Sequence, residues 1–101
     1  MAPREQLQTL LESLLGSRNV YFQPPPNLQM AYPCIVYALD YMDIKHANNR
    51  PYALSKRYLV TVIDKNPLSE IPDKVAMLPS CSFSRAFTSA NLNHQAFTLY
   101  F

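Results

Sequence analysis

The last stretch of the chain, His94-Gln95-Ala96-Phe97-Thr98-Leu99-Tyr100-Phe101, constrains the fold most: apolar Phe97, Leu99 and Phe101 alternate with Thr98 and Tyr100. Period-two alternation is the pattern of a half-buried strand. Termini fray unless something holds them, so a chain that stops on an aromatic strand is expected to dock that strand into a sheet. A second alternating stretch, Cys81-Ser82-Phe83-Ser84-Arg85-Ala86-Phe87, lies just upstream and is close enough to form an antiparallel hairpin with it. His94 is expected to help close that hairpin through its side chain.

The N-terminal segment reads as a helix. Pro3 suits the first helical turn. Leu7, Leu10, Leu11, Leu14 and Leu15 recur on one stripe, and Gly16, the only glycine, stands where a left-handed terminating residue is wanted. Such a stripe packs on a sheet, the alternative being a partner helix. Val20-Tyr21-Phe22-Gln23 is a short strand. It is stopped by Pro24-Pro25-Pro26, a triplet that favours a stiff, extended connector or a ligand for an aromatic groove. Cys34-Ile35-Val36-Tyr37-Ala38-Leu39 is nearly all apolar, as in a strand covered on both faces. Lys56-Arg57-Tyr58-Leu59-Val60-Thr61-Val62-Ile63 is the strongest strand pattern. Between these two, residues 43–55 are mostly polar and contain Asn48-Asn49-Arg50-Pro51. They read as a long loop joining the strands of a hairpin, and long loops are usually functional or disordered. A second helix is expected to start near Ser69, with Glu70 at its positive end, Pro72 in its first turn and Pro79 ending it.

The order is thus α-β-β-β-α-β-β. It predicts an α+β fold in one domain, residues 1–101, with a mixed, mostly antiparallel sheet of four to five strands and two helices on one face. The second helix bridges two strands and can thereby make one parallel pair.

The chain is 49% hydrophobic but only 16% charged, with seven Tyr and five Phe. A thin charge coat rich in aromatics fits surface covered by neighbouring subunits, and fits equally an aromatic core. The net charge of +2 is too small to argue for nucleic acid by itself. No apolar run has transmembrane length and no signal-peptide core stands at the N-terminus, so the chain is expected in a cytosol with no membrane partner.

Catalytic chemistry is sparse. One glycine makes no phosphate loop, and no metal-ligand spacing is present, so neither cofactor nor metal is expected. Cys34 and Cys81 read as buried free thiols at strand starts. A nucleophile–base pair would need Cys34 or Cys81 beside His46 or His94; Cys81 and His94 lie on or near neighbouring predicted strands, but no third orienting group is visible, and no enzyme is expected. His46 reads as a solvated loop residue. The other constellation is basic: Lys45, Arg50, Lys56 and Arg57, opposed by Asp43 and interleaved with Tyr52 and Tyr58. Such a segment (45–58) is a solvated loop, a single-stranded nucleic-acid binding module, or an arm for an acidic patch on a neighbour.

Tyr32-Pro33-Cys34-Ile35-Val36-Tyr37, then Asn49-Arg50-Pro51-Tyr52, then Arg57-Tyr58-Leu59-Val60-Thr61-Val62-Ile63-Asp64-Lys65, then Ser69-Glu70-Ile71-Pro72-Asp73-Lys74-Val75, and Asn91-Leu92-Asn93-His94 through Leu99-Tyr100-Phe101, follow one another along the chain. In order and spacing the whole chain resembles the tail terminators, the tail-completion or head–tail joining proteins of long-tailed bacteriophages. Relatives often carry an acidic residue before the Asn-Leu-Asn-His stretch; Ala90 stands there instead. The resemblance implies a structural virion protein of the phage neck, assembled in the host cytoplasm. It implies a homo-hexameric ring that caps the tail tube protein, ends tube polymerisation and offers a joining surface to the head–tail connector or stopper protein. DNA would pass through the lumen without sequence readout. In this setting Lys45, Asn49, Arg50, Tyr52, Lys56 and Arg57 are the expected subunit or partner contacts.

Overall fold

The computed structural model describes residues 4–101, and side chains throughout that span except those of Ala47 and residues 50–53. The role expected of Pro3 lies outside the described residues. The elements are α1 (Arg4–Leu15), β1 (Val20–Phe22), β2 (Cys34–Ala47), β3 (Arg50–Asp64), α2 (Ile71–Ala76), β4 (Cys81–Ser89) and β5 (Leu92–Tyr100). They form one α+β unit with a five-stranded sheet of order β1-β2-β3-β5-β4. The predicted class, element order and mixed sheet are all present.

Strand parity sorts the side chains. Val20, Ile35, Tyr37, Tyr58, Val60, Val62, Phe97 and Leu99 lie on one face and form the core with Leu7 and Leu11 of α1 and Val75 of α2. Each buried aliphatic of this kind stabilises by about 1.5–3 kcal/mol relative to exposure. Both helices therefore cover one face. The other face carries Val36, Ala38, Leu59, Thr61 and Thr98, all half-buried. The both-sides coverage expected of β2 holds on the helix side alone, where Ile35 and Tyr37 are fully buried; on the opposite side only Cys34 is.

Tyr37 is the largest fully buried side chain. Its hydroxyl donates to Gln8 Oε1 at 2.5 Å and accepts from Arg4 Nη1 at 3.2 Å. Gln8 Nε2 in turn donates to the Val20 carbonyl at 2.9 Å. Helix ends follow the sequence signals: Gly16 has φ +80 and its N–H reaches the Glu12 carbonyl at 2.9 Å. Ser69 Oγ accepts from Ile71 N–H at 3.3 Å, although Glu70 holds the formal N-cap position.

The structure departs from expectation in three places. The parallel pair is β1–β2, not the strands flanking α2, because β5 inserts between β3 and β4. The proline connector is not straight throughout: Leu28 N–H donates to the Pro25 carbonyl at 3.1 Å and turns the chain. The predicted loop 43–55 is strand on both sides. β2 and β3 stay paired out to Ala47↔Arg50, joined by Asn48 and Asn49 at φ 53 and 61. Positive φ at both central residues is the backbone of a two-residue hairpin turn, and Asn tolerates it. Two irregularities punctuate the ribbon, at Asp40 and next to Pro51, where a proline can be accommodated.

The β4–β5 turn uses the same geometry with Ala90 and Asn91 at φ 52 and 62. A Cβ at positive φ costs roughly 1–2 kcal/mol, so Ala90→Gly should stabilise the fold by up to about 1 kcal/mol after the unfolded-state entropy of glycine is counted. Tyr37→Phe should destabilise by about 1–2 kcal/mol, since it leaves Gln8 and Arg4 without their shared partner. Urea unfolding of both variants checks these signs.

Candidate interaction surfaces

The β2–β3 hairpin leaves the body of the sheet. β5 ends at Tyr100, opposite Arg57, and beyond that row no third strand flanks residues 41–56 among the described residues. The molecule is accordingly elongated, 51 × 28 × 23 Å. Pairing on the ribbon sets two sides. Met42↔Lys56 and Ile44↔Leu54 continue the helix-covered side, whereas Tyr41↔Arg57, Asp43↔Ser55 and Lys45↔Ala53 continue the open one. Met42, Ile44 and Leu54 are all exposed.

The six sequence-predicted contact residues are distributed along this ribbon. Lys45 is exposed near its end, Asn49 forms the turn, and Lys56 is half-buried at the base. Arg50 and Tyr52 lie in β3, and their side chains are outside the described ones. Arg57 is engaged within the chain. Its Nη2 is 2.8 Å from Asp40 Oδ2, its Nε donates to the same oxygen at 2.9 Å, and its guanidinium sits 5.0 Å from the Tyr41 ring centre. Tyr41, Arg57 and Tyr100 thus form one cross-strand row on the open face. His46 is exposed, as expected, but lies on a strand.

Sequence reasoning missed two further surfaces. One is β4, an outer strand whose residues 82–89 are all exposed. On its open side Arg85 lies over Phe87 (4.9 Å) and Phe87 stacks on His94 (4.6 Å). The exposed aromatic Phe87 was the available signal. The other is a groove of about 320 Å³ lined by Leu10, Leu78, Pro79, Leu99 and Phe101. No short motif could disclose it, because its walls come from α1, the α2–β4 connection and β5.

The candidate Cys81–His94 pair is not brought together. Cys81 packs toward the helix-covered core, while His94 is on the open face, stacked on Phe87 with Nδ1 3.2 Å from the Leu92 carbonyl. The contact of His94 across the β4–β5 hairpin is its stacking on Phe87, whereas its ring nitrogen bonds within β5 and Asn93 Nδ2, reaching the Asp64 carbonyl at 3.3 Å, ties β5 to the end of β3. Both cysteines are free; Cys34 is buried, and Cys81 is half-buried rather than buried. Burial, with the Asp64 charge adding, pushes the Cys34 thiol up from 9.0 to about 11, and burial raises Cys81 also. Among the described residues no three His, Cys, Asp or Glu side chains are grouped to hold a metal, and no helix is long and apolar enough to cross a membrane.

A thiol with a raised folded pKa stabilises fully below its unfolded value, and that contribution is lost as pH rises from 9.0 through about 11. Unfolding free energy should therefore fall across this window. Cys34→Ala should flatten the fall relative to wild type, as measured by urea melts at stepped pH. No family model matches the chain, and no curated protein sequence matches it significantly.

Proposed function

We propose that this chain is a structural subunit of a phage neck: several copies form a ring that caps the completed tail tube, ends its polymerisation and presents a joining surface to the head connector, with DNA passing through the lumen. The observation that carries the reading is the free β2–β3 ribbon. An isolated two-stranded ribbon is marginally stable in water. This one extends past the sheet with Met42, Ile44 and Leu54 exposed on one side and Lys45 on the other. Such an element is suited to completion by a neighbour. The resemblance in order and spacing of sequence segments supports the same reading, and heterologous contacts close into rings when the rotation permits.

A second reading, a single-stranded nucleic-acid binding module, draws on the Tyr41–Arg57–Tyr100 row, since exposed aromatics beside a cation on a sheet can stack bases. It ranks second because Asp40 already compensates Arg57.

The test is genetic and microscopic. Antibody against the protein should label the neck of purified virions. Arg50→Ala with Tyr52→Ala should leave the isolated domain folded but give tails of uncontrolled length or tailless heads, since truncating such residues at an interface costs ~2 kcal/mol or more each when they are hot spots. Absence of the protein from purified virions would overturn the neck reading, and micromolar single-strand binding with a steep salt slope by a monomer would favour the second.

A further inference from the structure

We infer that two free copies of the chain join through β4, strand to strand and antiparallel, so that their five-stranded sheets become one. The contact goes beyond the ring reading. It is two-fold and uses the border of the sheet opposite β1, whereas a ring closes through heterologous contacts. An edge strand offers a row of unpaired backbone groups, and proteins that must not pair there shorten it or place proline and lysine on it. The free edges of this sheet differ in that respect. β1 is three residues long and runs into Pro24-Pro25-Pro26. The ribbon carries Lys45, Lys56 and Pro51. β4 is nine residues long, has neither proline nor lysine, and is exposed from Ser82 to Ser89; its protection is Arg85 and the irregularity in pairing beside it.

The backbone fixes which residues of β4 look outward. Tyr100 N–H donates to the Ser80 carbonyl and Phe101 N–H to the Lys56 carbonyl, both at 3.2 Å. Along β5 the even-numbered residues therefore turn their backbone groups to β4 and the odd-numbered ones to β3. Arg85 stands opposite Ala96 and Phe87 opposite His94, so these two bond inward. Ala86 and Thr88 then direct their N–H and C=O away from the sheet. A two-fold axis at Ala86 lets each Ala86 exchange both hydrogen bonds with its counterpart. It also sets Arg85 of each copy opposite Phe87 of the other, on the open face.

The side chains select a second copy in this register. β4 has one charge, Arg85, with no carboxylate at ion-pair distance among the described residues. An axis at Arg85 itself would stand two guanidinium groups against each other, and like charges directly opposite are destabilising. Moving the axis one residue, to Ala86, replaces that repulsion with two cation–π pairs and covers the Phe87 ring, which is 40% exposed in the single chain. The strand thus carries both halves of its own complement, two residues apart. The axis is perpendicular to the sheet, so both helical layers stay on one side of the joined sheet and do not meet the open face.

The experiment uses the full-length chain. Sedimentation should show the wild type as a dimer with a dissociation constant tighter than about 0.1 mM. Ala86→Pro removes an N–H that lies outside the β4–β5 ladder, and proline is tolerated on an edge. It should leave circular dichroism native and the species monomeric. Under mild oxidation in a Cys81→Ser background, Ala86→Cys should cross-link to its own copy in a second chain about tenfold or more in excess of Thr88→Cys. Hydrogen-bonded partners on the axis stand about 5.5 Å apart, within reach of a disulfide, whereas the two Thr88 are offset by about 13 Å along the strands. A wild type that is monomeric at that concentration, a Pro variant that dimerises as tightly as wild type, or equal cross-linking at 86 and 88 would overturn the contact. The cross-linking ratio decides alone if the Pro variant does not fold. The neck reading is tested separately by labelling of virions, so either can fail without the other.

Discussion

The fold hangs on how the Tyr37 hydroxyl is satisfied beneath α1. A buried hydroxyl without a partner is costly, and this one has two, Gln8 and Arg4. Its ring meets Phe22 of β1 at 5.0 Å and Tyr58 of β3 at 6.0 Å. Gln8 also holds the Val20 carbonyl, so one side chain ties α1 to both β1 and β2. With α1 placed, Leu7 and Leu11 close the core, and Leu10, one position along the stripe, is left at the helix edge to wall the groove. The groove is therefore a by-product of seating the helix on Tyr37 rather than of a separate motif.

The elements with strong periodicity were legible. The leucine stripe, the terminal strand and the β3 core strand each repeat one chemical preference at one period, and the structure realises them. The hairpin was not legible as strand because its outer half lacks a buried face. Alternation there is written in single exposed side chains, and polar residues hide it. The Asn48-Asn49 pair was the strongest available clue, since two residues that tolerate positive φ point to a tight turn rather than a long loop. The parallel pair was misassigned because sequence order cannot say that the last strand inserts between two earlier ones.

The candidate site was legible in location but not in role. The basic segment does fall on the projecting ribbon. Arg57, however, is held by Asp40 and Tyr41, and sequence spacing cannot reveal this because Asp40 is brought beside it by an irregularity in pairing. The apolar residues Met42, Ile44 and Leu54 passed unnoticed for the opposite reason: each stands alone in sequence, and only cross-strand register gathers them. Likewise Cys81 and His94 are near in topology yet separated by the thickness of the sheet.

That irregularity at Asp40 acts as a phase switch. Leu39 faces Tyr58 and Tyr41 faces Arg57, so β2 carries one residue more than β3 at this point. Inward of it, odd-numbered residues of β2 face the helices; outward of it, even-numbered ones do. Were this same sequence paired without the bulge, so that Asp40 stood opposite Arg57, Tyr41, Asp43 and Lys45 would exchange sides with Met42 and Ile44, while Ile35 and Tyr37 would stay where they are. The chemistry of the projecting ribbon is thus uncoupled from that of the core. A one-residue slip in pairing outward of this point would invert what β2 shows a neighbour without disturbing what holds the core together.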